Sequence, residues 1–225
     1  MTSKTAIITQ VRTTSTRLPR KVLKKVNTKT ILEYHIERLQ WSELPIIVAT
    51  TTNREDDIIV EICNKYCIDL FRGDELNVLS RYYLAAKQYN ISTVIRVTSD
   101  CPLIDGKLIA SALTCFNNCD YLSNTITRTY PKGLDFEIFS FWVLEDAFKN
   151  AKSSFEKEHV TPYICNNVNN TFRLKSYLNT SNESHFRITL DTTDDFILIK
   201  ELIEKFKCDN LNYQRILEIL RNNYE

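Results

Sequence analysis

The first half of the chain alternates short apolar, β-branched runs with segments whose apolar residues recur at helical spacing. The runs that predict strands are Ala6–Val11, Pro45–Thr50, Asp69–Arg72 and Thr93–Thr98. The segments that predict helices are Ile31–Gln40, Asp56–Tyr66, Val78–Tyr89 and Lys107–Asn117. Successive β-then-α units are typical of a parallel sheet with helices on both faces, so the sequence predicts a three-layer α/β/α fold with a mostly parallel sheet.

The second half of the chain is less regular but continues the same mixture of elements. Strands are predicted at Tyr121–Asn124, Gly133–Phe139, Phe172–Tyr177 and Arg187–Leu190. Helices are predicted at Phe141–Asn150, Asp194–Phe206 and Tyr213–Asn222. The segment Thr125–Gly133 is polar and turn-forming, so we expect it to leave the sheet. No internal repeat or low-complexity linker interrupts the sequence, and we predict a single domain over residues 1–225.

The composition argues against several classes of protein. The chain has 29 Lys and Arg against 28 Asp and Glu, and this balance argues against a protein that mainly binds nucleic acid or an anionic membrane. The apolar stretch near the N-terminus is too short for a signal peptide or a membrane span, and no other stretch approaches the length of a span. Seven scattered cysteines, an odd number, fit reduced thiols better than a disulfide framework. We therefore expect a soluble, cytoplasmic protein.

The loop after the first predicted strand, Arg12–Lys21, contains four cations and four hydroxyl side chains. In a parallel sheet, ligands bind at the carboxyl ends of the strands, near a switch in strand order. Converging cations and hydroxyl groups are what a triphosphate requires. The loop lacks the Walker pattern, and a solvated basic loop without a ligand remains the alternative interpretation.

Two aspartates follow predicted strands directly. Asp100 comes after Thr93–Thr98, and Asp191 comes after Arg187–Leu190. Mg²⁺ on phosphates is commonly held by one or two carboxylates and water, so these two side chains are candidate ligands, although their spacing in sequence does not show that they meet. Asp105 is predicted to cap the helix that follows it, and Thr193 or Asp194 to cap a later one.

The three histidines do not form a recognisable catalytic set. His35 falls within a predicted amphipathic helix and is interpreted as structural, whereas His159 lies in a polar segment and could contact an acidic substrate. His185 precedes a predicted strand, and no Ser-His-Asp or metal-histidine arrangement is evident. Without an evident general base, the sequence favours in-line transfer governed by charge and positioning.

An ordered set of motifs resembles a known family. Residues 12–23, Arg-Thr-Thr-Ser-Thr-Arg-Leu-Pro-Arg-Lys-Val-Leu, closely resemble the signature loop of the cytidylyltransferases that activate sugar acids, such as the CMP-sialate and CMP-KDO synthetases. The loop looks closest to the branch of bacterial spore coat polysaccharide biosynthesis proteins, which usually reads A-R-x-G-S-T-R-L-P-G-K-V-L. The resemblance continues through Ile47–Asn53, Phe71–Asp74, Arg96–Asp105, Tyr130–Asp135, Glu158–Tyr163 and Leu190–Thr192.

The resemblance implies a Rossmann-like fold of the nucleotide-diphospho-sugar transferase type and a role for each matching residue. The implied catalytic residues are Arg12, Lys21, Asp100 and Asp191. The implied nucleotide-binding residues are Arg12, Ser15, Arg17, Lys21, Thr50, Thr51, Thr52, Arg72, Arg81 and Asp100. The implied acceptor-binding residues are Tyr130, Lys132, Asp135, Glu158 and His159. Asp100 and Asp191 would bind the cofactor Mg²⁺.

The implied reaction transfers CMP from CTP to a sugar acid and releases pyrophosphate, for the biosynthesis of a surface polysaccharide or glycan. The family is typically homodimeric, and we expect the dimer contact near residues 125–140. A phosphorylated sugar or polyol acceptor, giving a CDP-linked product, is the first alternative. A glycosyltransferase that uses a nucleotide-sugar is a second, but Asp100-Cys101-Pro102 does not match the Asp-x-Asp motif that such an enzyme would need.

The signature loop departs from the branch pattern at two positions, Thr14 and Arg20, where the branch usually has Gly. Glycine permits positive φ and close backbone approach, and a β-branched threonine is poorly suited to positive φ. Either Thr14 has ordinary φ here, or phosphate binding is weaker than in the family. The departures also leave open the alternative that this protein is a non-catalytic relative, which binds the nucleotide without turning it over.

Overall fold

The computed structural model describes residues 4–224, and nine strands are assigned in this range. They are β1 (Thr5–Gln10), β2 (Lys25–Val26), β3 (Lys29–Thr30), β4 (Ile46–Thr51), β5 (Asp69–Gly73), β6 (Thr93–Thr98), β7 (Tyr121–Ser123), β8 (Glu137–Ser140) and β9 (Leu174–Ser176). Seven of them form one sheet in the order β5-β4-β1-β6-β8-β7-β9, and β2 and β3 form a separate small hairpin.

Nine α-helices accompany these strands within the described range. They are α1 (Ile31–Gln40), α2 (Asp57–Lys65), α3 (Val78–Gln88), α4 (Gly106–Thr114), α5 (Phe141–Asn150), α6 (Ser154–His159), α7 (Pro162–Asn166), α8 (Thr193–Glu204) and α9 (Tyr213–Tyr224). Short 3₁₀ turns occur at Lys21–Leu23, Arg54–Asp56 and Cys208–Asn210. No helix of residues 4–224 is long and apolar enough to cross a membrane.

The strand order reverses beside β1. The chain first runs from β1 to β4 and β5 on one side, and then returns to place β6 on the other side of β1. These four strands are parallel, while β8 pairs antiparallel with β6. The last residues of β1 and β6, Gln10 and Thr98, lie in register. The carboxyl ends of β1 and β6 therefore form a topological switch point, where ligands bind in folds of this kind.

Alternate residues of the central strands supply the two faces of the core. On β1, Ile7 packs with the layer that contains α1, α4, α8 and α9, whereas Ile8 packs with the layer that contains α3, α5 and α7. The sheet is therefore buried on both sides, as the near-continuous apolar character of β4 requires. The predicted three-layer α/β/α fold with a mostly parallel sheet is confirmed.

Side-chain caps fix where several helices begin. Thr30 and Glu33 form a capping box at the start of α1. Asp105 caps α4, as predicted, by accepting hydrogen bonds from the backbone of Lys107 and Leu108. The prediction of a cap at Thr193 or Asp194 is wrong, because Thr192 caps α8 in a reciprocal pair with Asp195.

The predicted elements agree with the structure in most of the first half of the chain. The bounds of α1, β6 and α5 match their predictions fully. The strand predicted at Arg187–Leu190 is wrong, because this segment forms only an isolated bridge between Arg187 and Lys132. The β2–β3 hairpin and the short helices α6 and α7 were not predicted.

Candidate active site

A cleft of about 330 Å³ opens at the carboxyl ends of β1 and β6. Its lining combines the signature loop, the end of β6, one face of α3 and the end of α6. The lining residues are Gln10, Val11, Arg12, Ser15, Thr16, Arg17, Lys21, Val22, Val78, Arg81, Arg96, Thr98, Ser99, Asp100, Glu158 and His159.

The signature loop is anchored at its start by the buried carboxylate of Asp56. The backbone N–H and the hydroxyl of Thr13 both donate to Asp56 Oδ1, at 2.8 and 2.7 Å. The hydroxyl of Thr51 donates to the other oxygen, Oδ2. These bonds join the loop after β1 to the connection between β4 and α2, and they fix the loop before any ligand binds. Sequence analysis did not identify Asp56, because no local pattern marks this long-range role.

The two departures from the branch pattern adopt different conformations. Thr14 is not among the residues of the described range with positive φ, so the first of the two alternatives for this position holds. Its hydroxyl donates to Glu75 Oε1, and the other oxygen of that carboxylate, Oε2, accepts from Asn53 Nδ2 at 2.7 Å. Arg20 has the left-handed conformation, with φ of 53°. The backbone demand that glycine satisfies is therefore met by Arg20 and does not arise at Thr14.

Lys21 joins the two candidate metal ligands. Its Nζ donates to Asp100 Oδ2 at 3.0 Å, to Asp191 Oδ1 at 2.9 Å and to the backbone oxygen of Leu190 at 2.9 Å. Burial opposes the positive charge of Lys21, but the two carboxylates outweigh burial and raise its pKa. The structure thus brings Asp100 and Asp191 together across one ammonium group, although they are far apart in sequence.

Asp191 has two further cationic partners. Arg17 Nη2 donates to its Oδ1 at 3.0 Å, and Arg187 Nη2 donates to its Oδ2 at 2.8 Å. Burial alone would raise the pKa of Asp191, but the hydrogen bonds from Lys21 and Arg187 outweigh burial and lower it. Asp191 is therefore held as a carboxylate, the form that can bind a metal ion.

Arg12 is held less firmly than Lys21. Its Nη1 donates to the backbone oxygen of Glu75 at 3.4 Å, and its Nη2 donates to Glu158 Oε1 at 3.4 Å. Both bonds are long for an N–H···O contact, so the guanidinium can turn towards a phosphate at low cost. Ser15 lies in the same loop and lines the cleft, as the resemblance implies.

Arg81 reaches the cleft from α3 and is nearly isolated. The residue is 1% exposed, its Nη1 donates to the backbone oxygen of Ala49 at 3.5 Å, and its buried Nε has no hydrogen-bond partner in the described structure. Burial lowers the pKa of its guanidinium. A buried cation with unused donors is costly unless a ligand pairs with it, so Arg81 is suited to bind a polar or anionic part of the nucleotide.

The other nucleotide-binding residues implied by resemblance lie outside the cleft lining. Arg72 donates to the backbone oxygens of Thr51 and Asn53 and to Asp57 Oδ1, which braces the connection from β4 to α2. Thr50 and Thr51 are buried, and Thr52 follows as an exposed residue. In this structure Arg72 and these threonines shape the edge of the site but do not line it.

On the acceptor side, Glu158 and His159 line the cleft. Tyr130 does not: it is 2% exposed and packs against the rings of Tyr177 and Tyr213 in the core. In this structure Tyr130 is therefore a core residue outside the cleft lining, and its implied role at the acceptor stays a prediction. Its aromatic neighbours come from distant parts of the chain, so its local motif did not reveal its burial.

Lys132 and Asp135 also lie outside the cleft lining. Asp135 forms a two-bond ion pair with Arg128, at 2.6 and 2.9 Å. Lys132 is exposed, and its backbone bridges to that of Arg187. Both residues belong to the excursion between β7 and β8, and in this structure neither is aimed into the cleft.

Arg96 and Gln10 line the cleft but were not identified as site residues from sequence. Arg96 Nη2 donates to Gln10 Oε1 at 3.3 Å, and its Nη1 donates to the carboxylate of Glu137. Burial opposes the charge of Arg96, but Glu137 outweighs burial and raises its pKa. The only sequence signal for Arg96 was its place two residues before Thr98, which puts both side chains on the same face of β6.

His35 supports the loop that carries Asp100. Its Nδ1 lies 2.9 Å from the backbone oxygen of Cys101, which can only accept, so Nδ1 carries the proton. Its Nε2 then accepts from the hydroxyl of Thr9 at 2.9 Å. The ring is fully buried, so the structural role predicted for His35 fits its surroundings.

No group of three or more His, Cys, Asp or Glu side chains in residues 4–224 is arranged to hold a metal ion. The candidate site consists of the carboxylates of Asp100 and Asp191 alone. This donor set is too small for a closed structural zinc site, but it suits Mg²⁺, which takes one or two carboxylates and completes its shell with water and phosphate oxygens.

Comparison with known proteins agrees with this geometry. The family model for cytidylyltransferases matches residues 6–222. An uncharacterized protein of Methanocaldococcus jannaschii is 42% identical over 224 residues, which cover 96% of this chain and 90% of that protein. The spore coat polysaccharide biosynthesis protein SpsF of Bacillus subtilis is 30% identical over 210 residues, which cover 88% of this chain and 85% of SpsF.

Among solved structures, a cytidylyltransferase from Leptospira borgpetersenii is similar to this chain with a TM-score of 0.94 and 35% identity, over 98% of this chain and 95% of that one. The similarity spans nearly the whole length of both chains, so it includes the loop after β1 and the ends of β6 and of the Asp191 segment. The chain therefore belongs to the cytidylyltransferase family and is a nucleotidyltransferase that uses CTP.

Proposed function

We propose that this enzyme transfers CMP from CTP to a sugar acid, releases pyrophosphate and depends on Mg²⁺. The observation that carries the proposal is the meeting of Asp100 and Asp191 on Lys21, beside a basic loop at the switch point of the sheet. Two carboxylates next to converging cations are what binding of a metal–triphosphate complex requires. The relation to SpsF supports a role in the biosynthesis of a surface polysaccharide or glycan.

Asp100 and Asp191 would hold Mg²⁺; this is supported by the meeting of their carboxylates at Lys21 Nζ and by the cationic partners that keep Asp191 ionised. When bound, the ion neutralises negative charge on the triphosphate. Lys21 sits on a flexible stem, so its ammonium group can serve either the carboxylates or a phosphate oxygen.

The remaining cations of the cleft bind and orient the nucleotide. Arg12 and Arg17 offer guanidinium donors to the phosphates from the signature loop, and Arg81 offers its unused donors from α3. A hydroxyl oxygen of the acceptor attacks the α-phosphorus in line and releases its proton to water, a new P–O bond forms, and the bond to pyrophosphate breaks with its electron pair. Positive charge around the site stabilises the pyrophosphate leaving group. The transfer is direct and requires no covalent intermediate with the protein.

A phosphorylated sugar or polyol is the second candidate for the acceptor, and it would give a CDP-linked product. The observation in its favour is the cationic lining of the cleft on the β6 side, since a guanidinium pairs with a phosphate as readily as with a carboxylate.

We also propose that the enzyme is a homodimer through the excursion at residues 125–140. Ile126, in this segment, is 43% exposed, and Leu178, which follows the neighbouring strand β9, is 54% exposed. Light scattering of the wild type and of Ile126→Asp tests this contact. We expect the wild type to be a dimer and Ile126→Asp to be a monomer. A monomeric wild type would contradict the proposed dimer.

The reaction is tested by measuring pyrophosphate release with Mg²⁺ and each of CTP, UTP, GTP and ATP, against a panel of 2-keto-3-deoxy sugar acids and sugar phosphates. Release is expected with CTP and a sugar acid, and the variant Asp100→Asn is the matched control for metal-dependent turnover. Release only with a sugar phosphate would replace the proposed acceptor by the second candidate. Release of nucleoside monophosphate without an acceptor product would contradict both.

A further inference from the structure

We propose that Arg96 and Gln10, at the floor of the cleft, bind the anionic group of the acceptor. This inference rests on the proposed function, because it concerns the acceptor of the same reaction. Arg96 is on β6 and Gln10 is on β1, so the two side chains meet at the switch point itself.

Arg96 belongs to a different element from the nucleotide-binding residues. The signature loop follows β1, and Arg81 comes from α3, which packs against β1, β4 and β5 and also against α5 and α6. Arg96 lies on β6, which pairs with β8, and its guanidinium lies over the ring of Tyr82 of α3, 5.8 Å from the ring centroid. A nucleotide whose phosphates are held by the loop and by Arg81 would leave the β6 wall of the cleft to the acceptor.

The guanidinium of Arg96 is fixed in place by a buried hydrogen-bonded group. Glu137, on the paired strand, accepts from Arg96, from the hydroxyl of Tyr121 and from the hydroxyl of Thr161 at 2.6 Å. Because Glu137 is held from several sides, Arg96 cannot swing away, and its orientation is set before the acceptor arrives. A preorganised guanidinium loses little entropy when it binds a planar or tetrahedral anion.

Arg96 also has a donor that the protein uses only weakly. Its Nη2 donates to Gln10 Oε1 over a long 3.3 Å, while its Nε, which has no hydrogen-bond partner in residues 4–224, is shielded from solvent. The charge of Glu137 is shared among three donors, so it does not saturate the guanidinium. Both Arg96 and Gln10 line the cleft, so Nη2 and the Gln10 amide are the N–H groups available to a carboxylate or a phosphate there.

The experiment uses nuclear magnetic resonance of the full chain saturated with CTP, so that the triphosphate loop is occupied. Sodium pyruvate supplies an α-keto carboxylate, inorganic phosphate supplies a phosphate, and methyl pyruvate is the neutral control. The side-chain Nε–H signal of Arg96, assigned with Arg96→Lys, and the amide signal of Gln10 report on binding. The variant Gln10→Glu places a like charge beside the anion, and Gln214→Glu, an exposed residue of α9, makes the same charge change elsewhere.

We expect pyruvate or phosphate to shift the Arg96 and Gln10 signals in a saturable way, and methyl pyruvate not to do so. Gln10→Glu should weaken the binding by about tenfold, whereas Gln214→Glu should leave it unchanged. The tighter of the two anions identifies whether the acceptor presents a carboxylate or a phosphate. Absence of any shift with both anions, or equal affinity in Gln10→Glu and the wild type, would overturn the inference. Both results are independent of pyrophosphate release, which tests the proposed function separately.

Discussion

The burial of the His35 ring allows us to predict how far the free energy of unfolding falls in acid. Burial lowers its pKa from 6.5 to about 4, while the carbonyl of Cys101 and the charge of Asp100 oppose this shift only in part. The folded protein therefore holds His35 neutral at a pH where the unfolded chain already binds a proton. Stability is fully present above the unfolded pKa of 6.5 and is lost as the pH falls towards the folded pKa of about 4.

The size of this loss follows from the same shift. Each unit of pKa difference corresponds to about 1.4 kcal/mol, so the free energy of unfolding should fall by about 2.5 kcal/mol through His35 between about pH 7.5 and about pH 4.5. Glutamine at this position keeps one donor and one acceptor but does not titrate in this range. His35→Gln should therefore lack this component of the pH dependence, even if its stability at neutral pH is lower.

The measurement is urea unfolding of the wild type and His35→Gln at matched pH values. Carboxylates titrate in both proteins, so their contribution cancels in the difference between the two curves. We expect the stability advantage of the wild type over His35→Gln to shrink by about 2.5 kcal/mol between about pH 7.5 and about pH 4.5. Parallel curves of unfolding free energy against pH would contradict this prediction. They would show that the pKa of His35 is the same in the folded and the unfolded protein.

Three further predictions concern single residues. Asp100→Asn should lower kcat by roughly 100-fold or more with little change in Tm, and near-normal kcat would remove Asp100 from the metal role. Lys21→Ala should raise the Kd for CTP by about tenfold or more, and an unchanged Kd by calorimetry would contradict the phosphate assignment. Gly106→Ala should destabilise the fold by about 2 kcal/mol or more, because its Cβ would lie 2.6 Å from Ser42 N and 2.7 Å from Arg38 O. Thermal unfolding checks this against Ser111→Ala in the same helix, and equal Tm values for the two variants would contradict it.

Much of the fold could be predicted because the signal is local. The apolar run of β6 and the amphipathic spacing of α1 specify strand and helix without reference to the rest of the chain, and both were predicted with the observed bounds. Arg187–Leu190 looked equally like a strand, but its hydrogen bonds go to Lys132 and to the backbone of Asp100, so no ladder forms. Pairing partners are a tertiary property that a single segment does not encode.

Candidate site residues could be predicted from the sequence only where they directly follow a predicted strand. Asp100 and the signature loop were predicted as site residues because they come directly after strands, and in the structure both line the cleft at the switch point. That Asp191 meets Asp100 across Lys21 could not be read from spacing. The burial of Tyr130 depends on distant aromatic rings, and the place of Arg96 in the cleft lining could not be told from a core ion pair inside a strand, so neither was evident from the local sequence.

The position of the positive φ angle in the signature loop was not predicted from the sequence. The sequence showed two positions where the branch usually has glycine, and the β-branched Thr14 looked the more difficult of the two. In the structure Thr14 has ordinary backbone angles and a hydrogen bond to Glu75, while Arg20 takes the left-handed conformation. The residue types alone did not indicate which of the two positions carries the unusual angle.

The most direct test of the central claim is phosphorus-31 nuclear magnetic resonance of reactions with CTP, Mg²⁺ and either a sugar acid or a sugar phosphate. Transfer of CMP to the sugar acid should give pyrophosphate and one new phosphodiester signal with no phosphorus coupling, and both should form roughly 100-fold or more slowly with Asp100→Asn. A product with two coupled phosphorus signals, formed only when the acceptor carries a phosphate, would contradict transfer to a sugar acid.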